Sequence, residues 1–510
     1  MVAKVYSAQV VGLQTDIVDV EVDISRGLHS FTIVGLPDKA VEEAKDRISA
    51  AIKNSGFPSP QKSNRKVIVS LAPADLKKEG PVFDLAIALA YLLAAEEIKF
   101  SVASRLFLGE LALDGMIRSI KGALLIVRQA KAAGFEEIYL PKANAKEAAL
   151  IKGVRIFGCR HLQELTEHLS SPQPTIKKLS PEPETVIHYE ERAWNDLNEI
   201  KGQETAKRGL EIAAAGGHNI AMSGPPGTGK TMLAKAFSSI LPPLGFEEVL
   251  ETTGIHSAAG LTHEDLVIHP PFRSPHHTAS YVSVVGGGNW PRPGEITLAH
   301  RGVLFLDEFP EFDKRVIESL RQPLEDRSIN ISRARGSMTF PANFILIATM
   351  NPCPCGNRGS RTKECVCSQA AILRYCRKLS GPIIDRIDLW LEVGPVEHVK
   401  LSSDIEGESS TAVRQRVIET RKIQLERFCQ AKLNLTTNSE MSAKHLKRFA
   451  PLTDKCTRLL NESAKRLDLS ARAYHRVIKL ARTIADLEGG ADIAEPHLLE
   501  ALQYRPKATF

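Results

Sequence analysis

The alternation of apolar and polar residues predicts two kinds of secondary structure near the N-terminus. Residues 18–23 alternate strictly between valine and an acidic residue, as expected for a strand with one buried face. Residues 66–71 form a second strand of this kind, and residues 83–94 form an apolar run of helical length. Strands and helices therefore mix in the first part of the chain, which predicts an α/β domain.

The pattern changes towards the middle and the C-terminus. Residues 303–306 and 344–349 are short, continuous apolar runs, which are typical of strands buried on both faces. Charged amphipathic segments follow at 413–428 and 471–487 and predict helices. We therefore expect a central domain with a parallel sheet and a helical C-terminal region.

A segment rich in proline and turn-forming residues marks the clearest domain boundary. We assign residues 1–170 to an N-terminal α/β domain, 171–190 to a linker, 191–396 to the central domain and 397–510 to a helical lid. The predicted fold class is α/β and multidomain.

Composition excludes few functions. The chain has 510 residues, a net charge of +6 and ordinary apolar and charged fractions, so an anionic partner is permitted but not required. No apolar run has spanning length and no secretory signal is recognisable, so we expect a cytoplasmic protein without a membrane partner. In that compartment the eight cysteines do not predict disulfides.

A glycine-rich loop in the central domain has the pattern G-x-x-x-x-G-K-[ST], which binds nucleotide phosphates. Its backbone N–H groups turn towards phosphate oxygens, Lys230 adds a positive charge, and Thr231 offers a hydroxyl to Mg²⁺. The predicted ATP-binding residues are Gly224, Pro225, Pro226, Gly227, Thr228, Gly229, Lys230 and Thr231.

Two acidic residues end the apolar strand at 303–306. Asp307 is predicted to hold Mg²⁺ through a water molecule, and Glu308 to polarise the water that attacks the γ-phosphate. Together with the glycine-rich loop, this pair predicts a Mg²⁺-dependent ATPase.

Further motifs carry a resemblance to a known family. They are Val34-Gly35-Leu36-Pro37-Asp38, residues 70–76, Pro275-His276-His277-Thr278, residues 293–300 and residues 351–356. With them the chain resembles, over almost its whole length, the bacterial magnesium-chelatase-like AAA+ ATPases of the ComM/YifB type. The resemblance implies a hexameric DNA helicase that drives branch migration when incoming single-stranded DNA recombines during natural transformation.

The resemblance also assigns roles to two residues of the ATPase engine. Asn351 follows the strand at 344–349, where the family places a γ-phosphate sensor; alternatively it only opens the turn before Pro352. Arg386 matches an arginine finger that reaches the nucleotide of a neighbouring subunit. The alternative for Arg386 is a structural salt bridge with Asp385 or Asp388.

A helix with Ser470 as its N-cap is predicted to carry the second sensor arginine of the lid. Arg472 matches the family position, but Arg476 lies four residues later on the same helix face. The sequence leaves the choice between these two arginines open.

Two inserted segments are candidates for DNA contact. Residues 252–290 occupy a position where related ring helicases project an insert into the pore; His276 and His277 within it are structural or interfacial rather than catalytic. Residues 330–339 predict a β-hairpin with Arg333 and Arg335 near its tip. These arginines would contact DNA phosphates independently of the DNA sequence. The alternative is that they lie on a solvated hairpin tip without a DNA role.

Four cysteines with tight spacing predict a structural zinc site. They are Cys353, Cys355, Cys365 and Cys367. Four thiols in a reducing compartment fit tetrahedral Zn²⁺ coordination, although C-x-C is tighter than the usual C-x₂-C spacing. Buried free thiols, or Cys376 in place of one ligand, are the alternatives.

The N-terminal domain resembles the proteolytic domain of Lon but lacks its chemistry. Val82 stands where Lon-type enzymes carry the nucleophilic serine, and Leu124 where they carry the activating lysine, with Lys121 nearby. We therefore expect no peptidase activity from this domain.

The leading hypothesis is thus a homo-hexameric, ATP-driven and Mg²⁺-dependent motor on single-stranded and branched DNA, acting beside recombination proteins. The alternatives are an ATP-driven protein remodeller and a chelatase-like motor subunit that acts on a protein partner.

Overall fold

The computed structural model describes residues 2–62, 65–170, 179–183, 195–261, 266–288, 292–333, 336–359, 363–396 and 407–506. The chain divides into two compact units, which are Met1–His188 with Phe246–Val267, and Tyr189–Gly245 with Ile268–Phe510. The predicted linker at 171–190 falls mostly outside the described residues and stays a prediction.

The first unit is built on strands that the valine alternation predicted. The strands are β1 Val2–Val11, β2 Gln14–Arg26, β3 Ser30–Val34, β4 Arg65–Ala72, β5 Arg105–Phe107, β6 Glu110–Leu111, β7 Ile117–Arg118, β8 Glu137–Pro141 and β9 Arg155–Cys159. Seven of them form a mixed sheet in the order β3-β4-β2-β1-β5-β8-β9. Val18, Val20 and Val22 of β2 are fully buried, so the period-2 pattern selects the face that enters the core.

The described part of the N-terminal segment contributes six helices to this unit. They are α1 Lys39–Glu42, α2 Ala44–Asn54, α3 Asp84–Ala94, α4 Ala123–Ala132, α5 Lys142–Ala148 and α6 Leu162–Ser170. Helix α3 confirms the apolar run predicted at 83–94 and is buried along most of its length.

The second unit contains the predicted parallel sheet. Its strands are β10 Ile220–Ser223, β11 Phe272–Arg273, β12 Gly286–Gly287, β13 Arg292–Pro293, β14 Val303–Leu306, β15 Ser328–Arg333, β16 Gly336–Pro341, β17 Ile345–Met350 and β18 Leu389–Glu392. Five of them form a sheet in the order β11-β14-β17-β10-β18, and every pairing in that sheet is parallel. All residues of β14 and β17 are buried, as expected for strands covered on both faces.

Helices surround this sheet and form the C-terminal region. They are α7 Glu204–Gly216 and α8 Lys230–Ile240, then, after α9 Phe246–Ala259 of the first unit, α10 Tyr281–Val285, α11 Glu295–Leu298, α12 Lys314–Ser319, α13 Pro323–Asp326, α14 Gln369–Cys376, α15 Gly381–Ile384, α16 Ser410–Gln430, α17 Ala443–Phe449, α18 Asp454–Arg466, α19 Ala471–Leu487 and α20 Glu495–Gln503. Helix α19 begins after Ser470, whose hydroxyl accepts a hydrogen bond from the Ala473 N–H at 3.2 Å, as predicted for an N-cap.

The C-terminal helices share one hydrophobic core with the parallel sheet. Val477, Leu480, Ala481 and Ile484 of α19 are buried at helical spacing in the same cluster as Ile220 of β10. The predicted lid region is therefore continuous with the core of the second unit.

One segment belongs to a different unit from the one that the sequence indicated. Residues 246–267 were expected in the central domain, partly in a pore insert, but they cluster with the first unit. Leu250 of α9 lies in the same apolar cluster as Leu124 of α4, and the Gly122 N–H donates to Ser257 Oγ at 3.1 Å. Helix α9 follows the first unit because its buried side chains find their partners there.

Candidate functional site

Three neighbouring strands of the parallel sheet end beside one another and carry the predicted catalytic residues. Strand β10 leads into the glycine-rich loop, β14 into Asp307 and Glu308, and β17 into Asn351. Strand β17 lies between β10 and β14 in the sheet. The carboxyl edge of an open parallel sheet is where ligands bind in such folds, so the three motifs converge on one site.

The glycine-rich loop has the geometry of a phosphate cradle. Gly229 has a left-handed backbone (φ 88°) and is the N-cap of α8, which starts at Lys230. The Lys230 Nζ donates to the carbonyl oxygens of Gly224 at 2.7 Å and Pro225 at 2.9 Å. Burial lowers the pKa of Lys230, and the carboxylates of Asp307 and Glu308 oppose this effect. The ammonium group is thus held over the loop by weak neutral acceptors that a phosphate can replace.

The two predicted Mg²⁺ residues are in direct contact. Thr231 Oγ1 donates to Asp307 Oδ2 at 3.2 Å, and the Thr349 hydroxyl donates to the other carboxylate oxygen. Thr349 is a fully buried residue of β17, so it orients Asp307 from within the sheet. A hydroxyl and a carboxylate oxygen at this spacing are hard donors suited to Mg²⁺.

Glu308 has a partner that the sequence did not identify. Its Oε2 lies 3.4 Å from Nδ1 of His277, and 54% of its side chain is exposed. Its backbone is left-handed (φ 54°), which is strained for a residue with a side chain. His277 in turn lies against His276, with ring centroids 4.2 Å apart. The signal available in the sequence was the His276-His277 pair, which was interpreted as structural or interfacial.

Asn351 lies beside the phosphate loop, as a γ-phosphate sensor requires. Its Oδ1 accepts a hydrogen bond from Lys230 Nζ at 3.4 Å. The side chain therefore points towards the group that meets the β- and γ-phosphates, which favours the sensor role over a turn residue.

Arg386 occupies an environment different from the one expected for an exposed finger. The residue is only 8% exposed, and its guanidinium pairs with Glu325 and donates to the Pro382 carbonyl at 2.8 Å. Its Nε is buried with no hydrogen-bond partner among the described residues. The predicted alternative was a salt bridge with Asp385 or Asp388, and the observed partner is Glu325 instead.

The two arginines of α19 have distinct surroundings. Arg472 is 54% exposed and donates to Glu325 Oε1 at 3.1 Å, so Glu325 joins it to Arg386. Arg476 pairs at 2.5 Å with Asp388, whose side chain is 1% exposed. Burial alone would raise the pKa of Asp388, but Arg476 and His218 hold it well below its usual range. Arg476 is thus held in a buried ion pair, whereas Arg472 makes a half-exposed one, and the choice of the sensor between them stays a prediction.

The predicted DNA hairpin is confirmed in its backbone. Strands β15 and β16 pair antiparallel, with Arg333 opposite Gly336. Arg335 and the side chain of Arg333 lie outside the described residues, so their contact with DNA stays a prediction.

The four predicted zinc ligands come together. The sulfur atoms of Cys353, Cys355, Cys365 and Cys367 all lie within 4.8 Å of one another. Cys376 is not a member of this group within the described part of the chain. The backbone N–H of Asn357 lowers the pKa of the Cys355 thiol to about 6, whereas the neighbouring thiols contribute to raising the pKa of Cys365 and of Cys367.

The two positions of the absent protease dyad are apolar and packed. Leu124 is buried, and the half-buried Val82 packs against the same cluster. Neither side chain offers a nucleophile or a base, while the resemblance of this unit to Lon stays a prediction.

The parallel sheet and its three convergent motifs define a P-loop ATPase domain of the AAA+ class. Family profiles match this chain in three places: "Magnesium chelatase, subunit ChlI" at residues 196–401, "Subunit ChlI of Mg-chelatase" at 20–144 and "Magnesium chelatase, subunit ChlI C-terminal" at 407–505. Competence protein ComM of Haemophilus influenzae is 42% identical over 510 residues, covering 99% of this chain and 97% of its own. The chain belongs to the ComM/YifB family of magnesium-chelatase-like AAA+ proteins.

Two further relatives show how far this similarity extends. YifB of Salmonella typhimurium is 43% identical over 509 residues, covering 99% of this chain and 97% of its own. The Magnesium-chelatase 67 kDa subunit of Heliobacterium mobile is 29% identical over 196 residues, which cover 32% of this chain and 29% of that subunit. The match to ComM and YifB thus extends through both units.

Within the described ranges, none of the helices combines the length and apolar character that crossing a lipid bilayer demands.

Proposed function

We propose that the protein is an ATP-driven motor that acts on single-stranded and branched DNA and promotes branch migration during recombination in natural transformation. The observation that carries the ATPase part is the meeting of Lys230, Thr231, Asp307 and Asn351 at one edge of the parallel sheet. The DNA part is supported by the 42% identity to a protein named for competence and by the basic hairpin of β15 and β16.

In this proposal each residue of the site has one chemical task. Lys230 exchanges its carbonyl acceptors for phosphate oxygens, and Thr231 and Asp307 are the residues that would hold Mg²⁺, which would supply positive charge to the phosphates. Glu308 accepts a hydrogen bond from the attacking water, and Asn351 orients that water against the γ-phosphate. Arg386 reaches the nucleotide of a neighbouring subunit in a hexameric ring, and Arg472, which shares Glu325 with it, contacts nucleotide from the lid.

The decisive experiment measures steady-state ATP hydrolysis with and without single-stranded DNA at about 50 mM and about 200 mM salt, since phosphate contacts weaken steeply over that range. Glu308→Gln serves as the blank because it keeps the loop that binds ATP and removes the base. We expect DNA to stimulate hydrolysis strongly at low salt and much less at high salt. Hydrolysis that ignores DNA but responds to unfolded protein would instead favour a protein remodeller.

The hairpin is tested by its own pair of variants. The double variant Arg333→Gln/Arg335→Gln should hydrolyse ATP at the wild-type rate without DNA and be stimulated less by DNA. The slope of log K for DNA binding against log salt concentration should fall in magnitude by roughly 1–2. Lys465→Gln with Arg466→Gln removes the same charge from exposed residues at the end of α18 and is the matched control. Migration of a fluorescently labelled four-way junction then reports the motor activity directly.

We also propose that the four clustered cysteines hold Zn²⁺. The sulfur pairs Cys353–Cys355, Cys353–Cys365 and Cys355–Cys365 are 3.4, 3.6 and 3.6 Å apart. Tetrahedral Zn²⁺ with Zn–S bonds of about 2.3 Å separates its sulfur ligands by about 3.8 Å, so the cluster has nearly the required size. The Arg358 N–H donates to Cys353 Sγ at 3.4 Å, which is the kind of contact that supports a thiolate ligand.

A further inference from the structure

The cysteine cluster is attached directly to the γ-phosphate sensor. Asn351 follows the last residue of β17, and Cys353 comes two residues later. Cys353 is fully buried, whereas the other three cysteines are partly exposed. A metal ion held by Cys353 would therefore fix the chain at its buried end, immediately beside the sensor.

The loop between the cysteines also touches the phosphate loop. Gly356 has a left-handed backbone (φ 77°), and its N–H donates to the Cys353 carbonyl at 2.9 Å. A Cβ placed on Gly356 would lie 2.8 Å from Cδ of Pro226 and 3.9 Å from Cγ of Asn351. The backbone at Gly356 thus lies close to the phosphate loop and the sensor at once.

A second connection runs through α14, which begins directly after the last two cysteines. Ser368 is the N-cap of this helix, and its hydroxyl accepts from the Ala371 N–H at 3.2 Å. Near the end of α14, Tyr375 is buried, and the backbone of Asn351 lies close enough to its phenol to oppose the rise in the phenol pKa that burial causes. Cys367 and Asn351 are therefore joined through one short helix.

We infer that the metal-bound cysteine cluster positions Asn351 against the phosphate loop, so that ATP hydrolysis, but not ATP binding, depends on the bound Zn²⁺. The inference rests on the proposed ATPase function and adds a control point to it. Four ligands tie two chain segments to one centre, and without the metal both segments gain freedom next to Asn351. ATP would still be held by the phosphate loop itself, whose hydrogen bonds to Lys230 do not involve a cysteine.

The test uses a double variant that carries both Cys365→Ser and Cys367→Ser. Its control is Cys429→Ser, which changes an exposed cysteine of α16. Zinc content, the Kd of a fluorescent ATP analogue and kcat are measured on the full chain. We expect about one Zn²⁺ per chain in the wild type and the control, and none in the double variant. The Kd of the double variant for ATP should stay within about twofold of the wild-type value, and its kcat should fall roughly tenfold. A loss of this size is typical when residues that only orient the groups of a site are changed.

A second variant separates positioning from metal loss and from failure to fold. Gly356→Ala keeps all four thiols but places a methyl group 2.8 Å from Cδ of Pro226, so it should retain zinc and still lose kcat. Because Pro226 belongs to the phosphate loop, the Kd for ATP of this variant is measured as well. A wild type without zinc, or a full kcat in both the zinc-free double variant and Gly356→Ala, overturns the inference while leaving the ATPase proposal intact. If the double variant does not fold, a wild-type kcat in Gly356→Ala is by itself enough to overturn the inference. A wild type that hydrolyses no ATP overturns the proposed function, and this inference with it.

Discussion

The Nδ1 atom of His277 lies 3.4 Å from the carboxylate of Glu308, the residue expected to activate water. The contact joins the segment after β11 to the end of β14, which are neighbours in the parallel sheet. A histidine in this position supplies either a hydrogen bond or, when protonated, a positive charge. It thereby restricts a glutamate that is otherwise more than half exposed.

Removing this restraint should affect chemistry rather than binding. We expect His277→Ala to lower kcat by about three- to tenfold, because a base that loses its orienting partner is less often correctly placed. This loss is a fraction of the rate enhancement that general-base catalysis contributes. The Kd for ATP should not change. His276→Ala is the comparison variant: it removes the ring packed 4.2 Å from His277 but keeps the contact between His277 and Glu308, so it should lower kcat less than His277→Ala does. Equal kcat in both variants, or a rise in His277→Ala, would contradict the assignment.

The pairing of Arg386 with Glu325 makes the trans role of this arginine testable by mixing subunits. Arg386→Ala has an intact catalytic base and Glu308→Gln has an intact arginine, so each alone should be nearly inactive. Rings that contain both variants should recover hydrolysis, because some sites then combine one intact residue from each subunit. Activity of the mixture that equals the average of the two pure variants would argue for a structural role of Arg386 within its own chain.

The two arginines of α19 should separate stability from catalysis. Arg476→Met leaves Asp388 buried without its strongest partner and should cost about 3–5 kcal/mol in the free energy of unfolding. Arg472→Met removes a half-exposed pair and should cost at most about 1 kcal/mol. Thermal unfolding and kcat measured on both variants decide the matter: Arg472→Met should keep its melting temperature and lose hydrolysis. The reverse pattern would transfer the sensor role to Arg476.

Asp84 predicts a pH dependence of stability in the first unit. Burial raises its pKa to about 6 from an ordinary value of 3.8, although Arg47 and the Leu111 N–H oppose the shift. Between these two values the folded state binds more protons than the unfolded state, so the free energy of unfolding falls as the pH rises. The shift corresponds to a contribution of about 3 kcal/mol to the free energy of unfolding. This contribution is fully present below the pKa that Asp84 has in the unfolded chain and is lost above the pKa that it has in the folded protein.

This pH effect should disappear when the carboxyl group is replaced. As the pH is raised from about 4.5 to about 7, the free energy of unfolding of Asp84→Asn should increase relative to that of the wild type. Thermal unfolding midpoints of both proteins at the two pH values measure this difference. Asp46→Asn, which alters an exposed carboxylate of α2, should show no such pH-dependent difference. A constant gap between Asp84→Asn and the wild type at the two pH values would mean that Asp84 is ionised throughout.

The sequence by itself determined those features that depend on local spacing. The alternating valines of β2, the apolar run of α3, the helix N-cap at Ser470 and the glycine-rich loop all form where their patterns predicted them. The four cysteines were also predictable, because two close pairs separated by a short loop leave few ways to place their sulfur atoms. Such features follow from backbone periodicity, capping and short-range geometry.

Only the tertiary structure decided which distant side chains meet. His277 reaches Glu308, Glu325 joins Arg386 to Arg472, and α9 leaves the central domain to pack in the first unit. The partners in these ion pairs are separated by tens of residues or more, and many other charged residues along the chain satisfy the same pairing rules. Their choice depends on which surfaces the packed sheets and helices bring together, and the order of residues along the chain does not contain that information in any local form.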